Sequence, residues 1–190
     1  MVKLGIFVML CKIAIATPVA CGIAKSPREV EELFHEFSTN KLEQKVTKLR
    51  FYFQNLRGNT TAVVTQANGT ATSPTFFGET FIADDPLTVS ASQTSKVIGR
   101  AQGMHASASK EEFSLVFTIN LIFTDPTYYN GSTLTFVSSN PTLQTKLELS
   151  VIGGTGVFRL ARDVALLNTL FFDIAVGNTT VEYTVAVQHY

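Results

Sequence analysis

The sequence predicts an all-β domain of antiparallel strands, a sandwich or, by preference, a closed barrel. Three observations lead there. From Lys48 onward apolar residues recur with a period of two. In "FSLVFTINLIF" (113–123), Phe113, Leu115, Phe117, Ile119, Leu121 and Phe123 share one face, and Val181, Tyr183, Val185 and Val187 later repeat the pattern; only an extended strand puts alternate residues on one side. About eight or nine such runs are separated by turn signals rich in Gly, Pro, Asn and Asp, with no helical spacing between them. The third observation is the placing of the cysteines. Cys11 and Cys21 both fall in an N-terminal leader, so the processed chain has no disulfide and protects its sheet edges best by closure.

The leader, residues 1–22, has a short positive start at Lys3, an apolar run broken by Lys12 and small residues around 20–24. This is the pattern of a secretory signal cleaved near 22–24, too short and interrupted to span a membrane well. Its removal leaves 13 basic against 15 acidic residues. That near-balance argues against a nucleic-acid surface or a polybasic membrane patch. Four Asn-x-Ser/Thr acceptors follow, at Asn59, Asn68, Asn130 and Asn178, each in a polar, turn-like setting; behind a signal they are expected glycosylation sites. Residues 25–47 are charged and weakly helical in spacing (Val30, Leu33, Phe34, Phe37), which predicts an arm, with one short helix, leading into a single domain at 48–190. Within it the strands are expected at 48–56, 61–66, 75–83, 94–105, 113–123, 132–138, 144–152, a bent or split 157–173, and the closing 181–188. "DDPLT" (84–88) and "GGTG" (153–156) read as turns between them.

Motifs for metal or covalent chemistry are weak. The three histidines, His35, His105 and His189, lie far apart, with no metal-ligand spacing, no G-x-S-x-G and no phosphate loop. No metal and no cofactor is expected. Phenylalanine is abundant, 15 residues with no Trp, which calls for a large apolar interior or an apolar pocket.

Three stretches are more specific together: "DDPLT…SK.IGRAQG" (84–103), "YNGSTLTF…NP" (129–141) and "VIGGTGVFRLAR" (151–162), flanked by "KLRFYFQN" and "VEYTVAVQHY". In this order they resemble the plant dirigent proteins over residues 47–190. The resemblance implies an eight-stranded antiparallel β-barrel of the dirigent or allene-oxide-cyclase-like kind. It implies a homo-oligomer, trimer or dimer, secreted to the apoplast, with no membrane or nucleic-acid partner. It also implies an auxiliary role: a separate laccase or peroxidase makes monolignol phenoxy radicals, and the barrel holds two of them so that one coupling face is available, as in lignan formation. Relatives of the pterocarpan-synthase kind act as dehydratases or cyclases on a quinone methide, and a binding or defence barrel is the further alternative.

The resemblance also marks departures. Where the family's first strand reads Phe-Tyr-Phe-His-Asp, with the aspartate toward the pocket, this chain reads Phe51-Tyr52-Phe53-Gln54-Asn55. Asn140 precedes a proline where lignan-forming relatives often have aspartate, Leu147 replaces an arginine, and His105 replaces a frequent tyrosine. An aspartate can move a proton and an arginine can hold a phenolate, whereas Asn55 only hydrogen-bonds and Leu147 only packs. The pocket candidates are Phe53, Asn55, Asp84, His105, Asn140, Leu147 and Tyr183; Asp84 enters as a carboxylate at the barrel mouth or in a turn, and Arg100 as an ion-pair partner holding register.

Overall fold

In the computed structural model, residues 24–39, 42–173 and 175–190 are described; the expected leader, with Cys11 and Cys21, lies outside them. Helix α1 (Pro27–Ser38) starts where Ser26 caps it, its Oγ accepting from Glu29 N–H at 3.3 Å, with Pro27 fixing the first turn. Arg28 pairs with Glu32 at 3.0 Å one turn on. None of its residues is buried; the Phe37 ring lies 5.6 Å from that of Tyr190.

The strands are β1 (Lys45–Asn55), β2 (Thr61–Thr65), β3 (Thr80–Thr88), β4 (Val97–Ser107), β5 (Ser114–Phe123), β6 (Thr133–Pro141), β7 (Lys146–Thr155), β8 (Arg162–Asp173) and β9 (Asn178–His189). They pair antiparallel in the order β1-β9-β8-β7-β6-β5-β4-β3-β2. β1 also pairs with β3, at Tyr52↔Thr88 and Phe53↔Leu87, and this closes an eight-stranded antiparallel barrel. β2 takes the other half of the same β3 edge, at Thr61↔Ala83 to Val63↔Phe81. β1 and β2 thus act as one barrel strand from which residues 56–60 loop out.

Two expected turns are strand instead. "DDPLT" forms the second half of β3. Pro86 is tolerated there because the Asp84 N–H points to Thr60 O, 2.9 Å away. The nitrogen of Pro86, two residues on, faces the same side, where the loop at 56–60 interrupts the partner and no donor is needed. In "GGTG", Gly153 and Gly154 continue β7 past a bulge at Ile152, between the pairings Phe136↔Val151 and Thr135↔Gly153. The chain turns only at Gly156 (φ +64°), into a short 3-10 helix, Gly156–Phe158. The expected strand 75–83 begins later, at Thr80, and 157–173 begins at Arg162 after that helical turn.

Side chains alternate in and out along most of β3, β5 and β9, and the interior is unevenly filled. One half is solid: Phe51, Phe123, Phe136 and Phe158 are fully buried with Leu49, Leu121, Leu134 and Leu149. Each contributes about 2–3 kcal/mol by leaving water. β4 and β5 approach closely at Gly103, where a Cβ would lie 2.1 Å from Thr118 O. Outside, Ile82, Met104 and Val137 stand in adjacent positions across β3 to β6 with Thr118 between the last two, and all three apolar side chains are exposed.

Candidate functional site: a half-open barrel

Where the solid packing stops, the other half of the barrel opens into a cavity of about 400 Å³, in the size range of small-molecule sites. Its walls are aromatic and aliphatic: Phe53 from β1, Phe81 from β3, Phe117 and Ile119 from β5, Leu147 from β7, Leu167 and Phe172 from β8 and Val181 from β9. Tyr183 forms the floor, stacked on Phe51 at 5.3 Å and 17°. Such faces suit flat aromatic rings.

Six of the seven sequence candidates, Phe53, Asn55, His105, Asn140, Leu147 and Tyr183, line this cavity. Asp84 does not. It stands on the outer face, accepting from Arg100 Nε at 2.8 Å and Gln102 Nε2 at 3.1 Å. The Arg100 hydrogen bond above all holds its carboxyl below the usual range. The correction follows from the strand period. Phe81, Ala83, Asp85 and Leu87 alternate inward and are all buried, so the second aspartate of the pair belongs to the interior. That alternation was available in "FIADDPL"; reading the segment as a turn concealed it.

Asp85 is completely buried just behind the cavity wall. Asn55 Nδ2 donates to its Oδ2 at 3.0 Å and to Thr61 Oγ1 at 2.6 Å. Thr61 Oγ1 donates to Asp85 Oδ1 at 3.2 Å, and the Thr60 hydroxyl makes a short hydrogen bond to the same oxygen. Burial pushes the carboxyl up to about 6, against the pull of these donors. Burial, and then the negative charge of Asp85, holds the Tyr183 phenol above its ordinary range, so it stays neutral.

His105 stacks on Phe81 (4.6 Å, 18°), and the Arg57 guanidinium lies 5.2 Å from the centre of the same ring. Burial, with the charge of Arg57, lowers His105 to about 4, leaving a neutral imidazole at neutral pH. Arg57 pairs with buried Glu79 at 3.4 Å, and both line the cavity. Neither stood out in the sequence, because a lone Arg in "LRGN" carries no pattern. Asn140 Oδ1 is buried with no hydrogen-bond partner among the described residues. Leu147 pairs in register with Leu167 and offers only apolar contact. Among the described residues no cluster of three or more His, Cys, Asp or Glu is placed to hold a metal. Of the four asparagines in Asn-x-Ser/Thr triplets, Asn59, Asn68 and Asn130 are exposed, while Asn178 is partly buried beside the cavity, its Oδ1 accepting from Arg57 N–H at 3.0 Å.

The site therefore offers flat apolar surfaces, neutral hydrogen-bonding groups, the Arg57–Glu79 ion pair in its lining and the Asp85 carboxylate held a layer behind. Comparison with known proteins agrees with this architecture. The family model described as Dirigent-like protein matches residues 46–188. The chain is 41% identical over 157 residues to Dirigent protein 23 of Arabidopsis thaliana, covering 79% of this chain and 83% of that protein. It is 37% identical over 152 residues to Pterocarpan synthase 1 of Glycyrrhiza echinata, covering 78% and 80% respectively. The solved structure of the pterocarpan synthase dirigent protein GePTS1 superposes with a TM-score of 0.72 at 37% identity, covering 78% of this chain and 92% of that one. With a closed barrel, a half-open interior and a family match over nearly the whole folded domain, this chain belongs to the dirigent family.

Proposed function

We propose that the chain binds phenolic ligands in the barrel cavity and directs the stereochemistry of phenoxy-radical coupling, as in lignan formation. A separate laccase or peroxidase supplies the radicals. The observation that carries this reading is the cavity itself: aromatic walls, with a few polar groups among them, around about 400 Å³. Phenoxy radicals couple with almost no barrier, so control requires orientation, which a rigid barrel supplies. The reading places the protein in the apoplast as a secreted, glycosylated homo-oligomer, with the exposed apolar row at Ile82, Met104 and Val137 as its contact surface.

A dehydratase or cyclase reading has its own observation. Asp85, raised to about 6, lies next to cavity-lining Asn55, so a carboxylate able to exchange a proton near neutral pH is present although the first strand lacks one. The two readings separate in one assay. The purified protein is incubated with coniferyl alcohol, with and without a one-electron oxidant, and the enantiomeric excess of the products is measured. Excess only with oxidant is the expected result, and racemic product removes the coupling reading for that substrate. Turnover of an isoflavanol without oxidant establishes the cyclase reading; saturable binding with no product in either assay leaves a ligand-holding barrel.

A further inference from the structure

Charge at the cavity is sorted by exposure. The lining holds one ion pair among the described residues, Arg57 with Glu79. Its two ends differ: the Glu79 side chain is 6% exposed and that of Arg57 46%. A ligand entering from solvent therefore meets the cation and not the anion. The Glu79 carboxylate is used from within, its Oε1 accepting from Gln66 Nε2 at 2.9 Å and from Arg57 at 3.4 Å. That long contact is the one hydrogen bond of the Arg57 guanidinium among the described residues, and a guanidinium carries five N–H donors. Most of the fork is left for a ligand. Asp85 is completely buried behind the wall. His105 stays neutral at neutral pH, lowered to about 4 by burial and then by the charge of Arg57.

The guanidinium is also held in place. Arg57 lies in the loop that leaves β1, and its backbone N–H donates to Asn178 Oδ1 at 3.0 Å. Its stem passes Gly177, where an added Cβ would lie 2.7 Å from Arg57 Cδ. Its charged end lies 5.2 Å from the centre of the Phe81 ring, itself a wall of the cavity. Backbone, stem and head are each fixed by a different neighbour, so much of the side chain's freedom is lost before a ligand arrives.

We propose that Arg57 is an anion-recognition residue, and that the cavity prefers aromatic ligands carrying a carboxylate on a short side chain, the hydroxycinnamates, over the corresponding uncharged esters and alcohols. The inference rests on the aromatic-ligand reading above and deepens it by naming the ligand's second functional group. The ring lies among the apolar walls, and the carboxylate accepts parallel N–H bonds from the unused part of the fork. Contact at hydrogen-bond distance outweighs repulsion from Glu79, whose carboxylate is withdrawn from solvent and already bonded to Gln66. Leu147 offers only apolar contact, so positive charge reaches this cavity from the loop after β1 instead of from β7.

The test is isothermal titration of the intact protein at about pH 7, where the acid is ionised, with three probes: ferulate, methyl ferulate and coniferyl alcohol. The ester keeps the ring and the carbonyl and removes the charge. Wild type is expected to bind ferulate about tenfold more tightly than methyl ferulate. The preference is expected to shrink as ionic strength rises from about 0.05 M to about 0.5 M, because Arg57 is half exposed. Arg57→Gln is expected to bring the ferulate to methyl ferulate ratio to about one, and Arg57→Lys to keep part of it. Equal affinity for acid and ester in wild type, a preference for the ester, or a preference for the acid that survives Arg57→Gln overturns the inference while leaving aromatic binding intact. The wild-type comparison and its salt dependence decide this even if Arg57→Gln fails to fold. Absence of saturable binding by all three probes overturns the aromatic reading and this inference with it.

Discussion

Asp85 is buried behind the cavity wall and His105 is half-buried in it, and desolvation makes them act on stability with opposite signs. The carboxyl of Asp85 is raised from 3.8 to about 6, so the fold binds its proton more tightly than the unfolded chain does. Its contribution is fully present below about pH 4 and is lost as pH rises through about 6, a change of about 3 kcal/mol. His105 is lowered from 6.5 to about 4. Its contribution is present above about pH 6.5 and is lost as pH falls through about 4. Between these limits the two offset each other, and wild-type stability is expected to change little with pH. Asp85→Asn removes one side of the balance, so its melting temperature is expected to fall by about 5 °C more than that of wild type between about pH 7.5 and about pH 4.5. Parallel melting curves for the two proteins would show that the carboxylate is not desolvated as described.

At the scale of the element, barrel curvature depends on where backbones can touch. Gly103 on β4 faces Thr118 O, and an added Cβ would lie 2.1 Å from it and 2.8 Å from the Ile119 Cα. These are backbone atoms held in a ladder, so they cannot move aside cheaply. Gly103→Ala is expected to cost about 2–3 kcal/mol in chemical denaturation. Gly153 on β7, with nothing within 4 Å of its missing Cβ, is the control: Gly153→Ala is expected to change stability by less than about 0.5 kcal/mol. Equal effects at the two sites would refute the close approach. The same scale explains β3, the element least legible in the sequence. A proline after two aspartates is a strong local turn signal, and the strand survives there because its neighbour is interrupted at 56–60. That interruption is long-range pairing, which no local pattern records.

For the whole molecule, the inside and the outside carry separate properties. The inside divides into a packed half and an open half, since the Phe and Leu side chains of one end meet across the barrel while those of the other stand apart around the cavity. The outside presents Ile82, Met104, Val116 and Val137 in exposed positions on neighbouring strands. If this row is the oligomer contact, Met104→Glu combined with Val116→Glu is expected to reduce the mass seen by light scattering to that of one chain. The melting temperature should stay within about 5 °C, because none of the core is touched. An unchanged mass would move the contact elsewhere.

The sequence by itself determined the fold class, through the period of two, and the family, through ordered motifs such as "IGRAQG" and "VIGGTGVFRLAR". It also determined that the first strand lacks an acid at position 55, since residue identity needs no coordinates. Only the tertiary structure decided which aspartate of the pair faces inward and that it lies 3.0 Å from Asn55. It also decided that Asn140 Oδ1 has no donor among the described residues and that half of the interior stays open. The physical reason is the range of the interactions. Alternation along a strand is written in neighbouring residues, whereas burial, hydrogen-bond partnership and empty volume arise between residues brought together by closing the sheet.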